Sequence, residues 1–145
     1  MVVKVKKLVP EAMLPKKAHA DDAGFDLVAV SGGWAEEEKL YVYHTGLAFE
    51  IPEGYVGLVF PRSSVAKKDL ILSNCVGVID AGYRGEVSAN FGLAQRPMMR
   101  GDLIYHAGDR ICQIVFVKLP DVQLVESDEL SASERGEGGY GSSGR

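Results

Sequence analysis

Glycines, hydroxyls, arginines and one aromatic crowd the last eleven residues of the chain, RGEGGYGSSGR (135–145), five of which are glycine. Glycines let successive backbone amides turn toward an anion, Ser142 and Ser143 can donate, and Arg135 and Arg145 add charge. Tyr140 offers a flat face on which a base could stack. Gly136, Gly138 and Gly141 match GxGxxG, but a dinucleotide turn needs a strand before that spacing and a helix after it. Only four residues follow Gly141 here, and no GK[ST] of a Walker loop is among them. The plain alternative is a solvated, mobile tail.

Two internal segments carry comparable chemistry. In FPRSSVAKKD (60–69) Pro61 ends a strand, and Ser63 or Ser64 is expected to cap a short helix over residues 63–68. Free amides, two hydroxyls and Arg62 at such a terminus suit a phosphate; the alternative is a plain cap with Arg62 in solvent. In NCVGVIDAGYRGEV (74–87) the apolar Val76, Val78 and Ile79 run directly into Asp80, with Ala81 and Gly82 making the turn. A carboxylate there is poorly placed for stability and well placed to orient a water. Asn74 can donate and accept at once, as reading a base edge requires. An Asx-type turn at Asp80 explains the same residues.

Weaker pieces are AGFDL (23–27), with Asp26 inside a strand pattern where Asp is depleted, and GDRICQIVF (108–116), where the Gln113 amide needs a partner. Structural hydrogen bonding accounts for either as readily as function does. His19, His44 and His106 show no HxxxH or HExxH spacing, so no zinc site is expected. Nor does any spacing suggest a Ser-His-Asp arrangement.

The elements that must hold these residues are mostly strands. LYVYH (40–44), GLAFEI (46–51), YVGLVF (55–60) and ICQIVFVKL (111–119) are short and rich in β-branched and aromatic residues, with turn formers at 52–54 and 107–109. MVVKVKKLVP reads as an edge strand, and residues 121–134 lose any helical stripe after one turn, which favours an extended arm. The 145 residues suit one domain, and a 46% hydrophobic share provides a core. Seventeen glycines imply frequent bends. Such a pattern predicts an all-β sandwich, jelly roll or barrel. A net charge of −4 disfavours stable nucleic-acid or polybasic membrane binding. No apolar run is long enough to span a bilayer, and the start lacks a signal peptide's apolar stretch. Cys75 and Cys112, without CxxC spacing, are expected to be reduced, buried small hydrophobes, consistent with a cytoplasmic protein.

In order, AGFDL, PRSS, GVIDAGYRGEV, GDRICQIVF and RGEGGYGSSG resemble the five motifs of the trimeric dUTPases, and HTGLAFEIPEGY (44–55) is similar as well. The resemblance implies a distorted, β-clip-like jelly roll over 1–134 with one short helix, and a glycine-rich lid over 135–145. It implies a homotrimer whose shared sites hydrolyse dUTP with Mg²⁺ to dUMP and pyrophosphate, by water attack at the α-phosphorus. By position, Asp80 resembles the carboxylate that activates the water, and Tyr83 the tyrosine that excludes a 2′-hydroxyl. Asn74 and Gly77 fall in the uracil hairpin. Arg62, Ser63 and Ser64 fall on the phosphate-binding second motif, Gln113 on the fourth, and Asp26 near metal-bound waters. Arg135, Tyr140, Gly141, Ser142 and Ser143 match the closing tail.

Three departures stand out: Tyr140 where phenylalanine is usual, Gly82 where many members carry Asp, and a link over 93–105 longer than the usual one. The related dCTP deaminases share the RSS and ID-x-G-aromatic pattern but carry a glutamate ten residues after the aspartate, where this chain has Asn90. An amide cannot shuttle a proton. A dUTPase-like nucleotide-binding regulatory module is the non-enzymatic alternative. An inert jelly roll would have no use for five ordered polar motifs.

Overall fold

The computed structural model describes residues 1–95 and 102–139. Among these, ten strands carry the fold: β1 (Lys4–Lys7), β2 (Phe25–Val28), β3 (Ser31–Ala35), β4 (Leu40–His44), β5 (Leu47–Glu50), β6 (Tyr55–Pro61), β7 (Leu70–Leu72), β8 (Gly77–Ile79), β9 (Ser88–Leu93) and β10 (Arg110–Lys118). One 3-10 turn spans Ser63–Lys67. The strands pair antiparallel in three sheets, β1-β5, β2-β10-β6-β8 and β3-β4-β9-β7. Neighbours in each larger sheet are mostly distant in sequence, so the chain crosses between sheets repeatedly, as in a jelly roll.

Strand β10, with a register shift between Arg110 and Cys112, sets the core. Ile111, Cys112 and Ile114 are fully buried, while Gln113 sits opposite Asp26 on β2 and Phe60 on β6. In the other large sheet, Tyr43 and Phe91 pack edge to face with each other and with Tyr105. The Tyr105 N–H donates to the Tyr43 hydroxyl at 3.1 Å, and burial pushes the Tyr43 phenol up, keeping it neutral. As expected, the N-terminal strand pairs at an edge, here with β5. Residues 121–134 form an arm without regular structure, exposed throughout.

Two expectations need correction. Cys112 is buried, its thiol pushed up to about 12 first by desolvation and then by Asp26, but Cys75 is exposed. It occupies the tight turn after β7 with φ of 60°, a left-handed conformation that turns its side chain away from the core. The turn after β6 is not capped by serine either: Arg62 stands at the cap with extended backbone and no side-chain cap bond. Its own i to i+3 bonds, Val65 N–H to Arg62 carbonyl and Lys68 N–H to Val65 carbonyl at 2.9 Å each, close the turn. The serine hydroxyls are therefore not consumed by the cap.

Candidate functional site

Two concave clusters among the described residues gather the candidate site side chains. The first, a cavity of about 280 Å³ at the turn that carries the chain from β7 in one sheet to β8 in the other, is lined by Ser73, Asn74, Gly77, Val78, Ile79 and Asn90 among others. The Ser73 N–H anchors this turn to the Asn90 carbonyl at 2.9 Å, and the Val76 N–H to Asn74 carbonyl bond of 2.6 Å tightens its tip. A Cβ on Gly77 would stand 3.2 Å from Val59 Cβ and 3.5 Å from Asn74 Nδ2. Glycine there keeps the wall low beside an exposed side-chain amide.

Among the described residues strand β8 is an edge strand paired only with β6, and it delivers Asp80 directly after the pocket wall. The turn that follows closes through backbone, Tyr83 N–H to Asp80 carbonyl at 3.0 Å. Among the described residues no donor bonds the exposed Asp80 carboxylate, so the turn is not of the Asx type. Arg84 braces the turn by donating to the Ala81 and Tyr83 carbonyls at 2.6 and 2.9 Å. Tyr83 is 45% exposed, and its hydroxyl donates to the Glu86 carbonyl at 3.0 Å. A Cβ on Gly85 would come within 2.4 Å of the Tyr83 hydroxyl oxygen. Gly85 thus leaves room for the ring to lie where it does.

The second cluster is a cavity of about 230 Å³ lined by Asp22, Gly24, Asp26, Arg62, Ser63 and Gln113 among others. Asp26 Oδ1 accepts from Arg62 Nε at 2.7 Å and Oδ2 from Arg110 Nη1 at 3.1 Å, with the Asp26 side chain only 15% exposed. One carboxylate so orients two guanidiniums, which retain free N–H groups for an anion. Gln113 finds its partner in the Pro61 carbonyl, at 3.2 Å. A Cβ on Gly24 would fall 2.5 Å from Gln113 Oε1, so glycine lets the amide reach the cavity. Asp22 Oδ2 accepts from the His19 N–H at 2.8 Å.

The structure thus brings Asp26, Arg62, Ser63 and Gln113 together, with Ser64 Oγ 3.5 Å from Arg62 Nη1. Asn74 and Gly77 line a different cavity, with Asp80 and Tyr83 in the turn beyond it. The two cavities share no lining residue. Arg135 is exposed, its Nε donating to the Gly138 carbonyl at 2.8 Å. Tyr140, Gly141, Ser142 and Ser143 lie outside the described residues, as do residues 96–101 of the longer link. Sequence reasoning passed over Asp22, Gly24 and Arg110; Gly24 and Arg110 lie inside motifs already quoted, but their roles depend on a β2–β10 register that spacing does not reveal.

Among the described residues no three His, Cys, Asp or Glu side chains converge as a metal cage. The carboxylates of Asp22 and Asp26 do line the second cavity. That donor set suits a Mg²⁺ ion that keeps its waters and rides on ligand phosphates. No helix among the described residues is long and apolar enough to cross a membrane.

A family model described as dUTPase matches residues 10–144. A deoxyuridine 5'-triphosphate nucleotidohydrolase of Solibacter usitatus is 41% identical, covering 100% of this chain and 97% of that protein. Its counterpart in Corynebacterium glutamicum is 40% identical over 99% of this chain and 95% of that one. The dUTPase of Staphylococcus bacteriophage 80alpha, solved with dUpNHpp, is 31% identical with a TM-score of 0.84, covering 99% of each chain. A mutant dUTPase of phage phi11 of S. aureus, whose structure concerns a structural Mg(II) ion, is 27% identical with a TM-score of 0.74 over 89% of this chain and 98% of that one.

Proposed function

The chain belongs to the dUTPase family and hydrolyses dUTP, and we propose that Asp80 is the base that activates the attacking water. The observation that carries this assignment is the exposed Asp80 carboxylate, which accepts no hydrogen bond among the described residues, directly after the strand lining the first cavity. In the proposed step Asp80 takes a proton from water as its oxygen bonds the α-phosphorus. The bond to the bridging oxygen breaks, and pyrophosphate leaves with the electron pair. Asn74 and the backbone of the turn after β7 read uracil, and Tyr83 packs where a ribose 2′-hydroxyl would lie. Arg62, Ser63, Ser64 and Gln113 hold phosphate oxygens, since phosphoryl transfer depends chiefly on positioning and charge stabilisation. Mg²⁺ bound through phosphates and water, with Asp26 and Asp22 as carboxylates for that water shell, would neutralise phosphate charge.

A homotrimer with sites at its subunit junctions is part of this reading. In this reading the uracil pocket of one subunit completes the phosphate cavity of another; the two cavities of one chain share no lining residue. Leu124 and Leu130, 92% and 90% exposed on the arm, give a reason for neighbouring chains, since so much open apolar surface favours burial. The tail from Arg135 onward is proposed as the lid, Tyr140 covering the base while Gly141, Ser142 and Ser143 close on phosphates. The proposed role is cytoplasmic: to keep uracil out of DNA and to supply dUMP. Deamination is disfavoured because Asn90, which lines the uracil pocket, offers an amide where that chemistry needs a carboxylate.

The test is pyrophosphate release with Mg²⁺ from dUTP, dTTP, dCTP and UTP in parallel. Release confined to dUTP is expected; equal release from UTP would remove the ribose-excluding role of Tyr83. Binding of dUTP without release would favour the regulatory module. Gly85→Ala extends the test. Its Cβ must push the Tyr83 ring off the Glu86 carbonyl, so the preference for dUTP over UTP should fall by about tenfold, the worth of roughly 1.4 kcal/mol of lost discrimination. An unaltered preference would mean that Tyr83 is not the discriminating wall.

A further inference from the structure

The 3-10 turn that carries Ser63 and Ser64 rests on residues 102–105. The Asp69 N–H donates to the Leu103 carbonyl at 2.9 Å. Lys68 Nζ donates to the Ile104 carbonyl at 2.5 Å and the Asp102 carbonyl at 3.2 Å, and lies 5.3 Å over the Tyr105 ring. Tyr105 itself is 4% exposed, wedged against Tyr43 and Phe91. Its hydroxyl breaks the pattern of a satisfied core: among the described residues it is the one buried side-chain polar atom without a formed hydrogen bond.

Ser64, on the turn that these residues support, is a polar neighbour of that hydroxyl. Burial raises the phenol, while Ser64 and then the Arg62 charge pull it back. An oxygen sealed from solvent cannot touch a ligand, but it can act through the serine beside it. Ser64 Oγ now stands 3.5 Å from Arg62 Nη1, at the limit of a hydrogen bond. When the serine O–H points to an anionic oxygen, its own lone pairs are open, and the Tyr105 O–H can donate into one. Donor chains of this kind polarise each member and strengthen the outer bond.

We infer that Tyr105 is a positioning residue for the phosphate turn, donating from its sealed hydroxyl to Ser64 and so fixing serine and arginine for the phosphate chain. The inference deepens, and rests on, the reading of Ser63 and Ser64 as phosphate ligands. Tyr105→Phe keeps every ring contact and deletes one oxygen. Its thermal midpoint should change little, because the resting hydroxyl makes no hydrogen bond of full geometry. KM for dUTP should rise about three- to tenfold, the worth of one such bond, with kcat within about twofold. Inorganic pyrophosphate should weaken as a competitive inhibitor by a similar factor. Ser64→Ala should raise KM on its own, and adding Tyr105→Phe to it should change nothing more, since the two act as one unit. An unchanged KM in Tyr105→Phe, or two effects that multiply, overturns the role of Tyr105 alone. A silent Ser64→Ala overturns the phosphate-turn reading itself, and the inference with it.

Discussion

Asp80→Asn is expected to lower kcat for dUTP hydrolysis by about 10²–10⁴-fold, the usual worth of a positioned general base, while nucleotide binding persists. Asparagine matches aspartate in shape but cannot accept the proton that the attacking water must lose. Among the described residues no bond of the fold depends on the carboxylate, since the turn closes through the Asp80 carbonyl and the Tyr83 N–H. Stability should therefore change by no more than about 0.5 kcal/mol, as for other exposed substitutions. Single-turnover pyrophosphate release measures the first effect, and calorimetric titration with a non-hydrolysable dUTP analogue measures the second. A variant keeping more than a tenth of the rate would place the base elsewhere. One that also lost binding would make Asp80 a ligand of the nucleotide rather than its base.

Much of this site is legible in sequence because its chemistry is local. Arg62 and the two serines lie within three consecutive positions, and Asp80 and Tyr83 within one turn. Strands β4, β6 and β10 announce themselves by β-branched and aromatic runs, and the turn at 52–54 by its proline and glycine. What escapes is non-local or depends on handedness. The pairing of Asp26 with Arg110 spans 84 positions and follows a register shift between Arg110 and Cys112, which no spacing rule encodes. Cys75 looks like a core residue by type, yet its left-handed backbone places it in solvent. The serines look like caps by type, yet a 3-10 turn supplies its own closing bonds. Tyr105 reads as one more core aromatic until its hydroxyl is followed to Ser64.

The Asp26 pairing carries the other large expected effect. With two guanidiniums on one mostly buried carboxylate, Asp26→Asn removes the charge that holds both. The amide can accept from one arginine only through a single oxygen, and its NH₂ faces the other as a donor against a donor. Arg62 should then leave the position in which it can serve phosphate, so kcat/KM should fall by about 10–100-fold, mostly through KM, a loss typical of a charge-assisted bond. Unfolding stability should drop by roughly 1–3 kcal/mol, below the cost of breaking a fully buried pair because Arg110 is half exposed. The metal dependence separates this role from direct ligation. An ion held chiefly by substrate phosphates and water should keep its half-saturating Mg²⁺ concentration within about twofold. A tenfold rise in that concentration at unchanged KM would instead make Asp26 a direct metal ligand. Arg62→Ala completes the argument: it should reproduce the KM increase, and combining it with Asp26→Asn should add little to that loss, because both changes remove the same guanidinium from the phosphates.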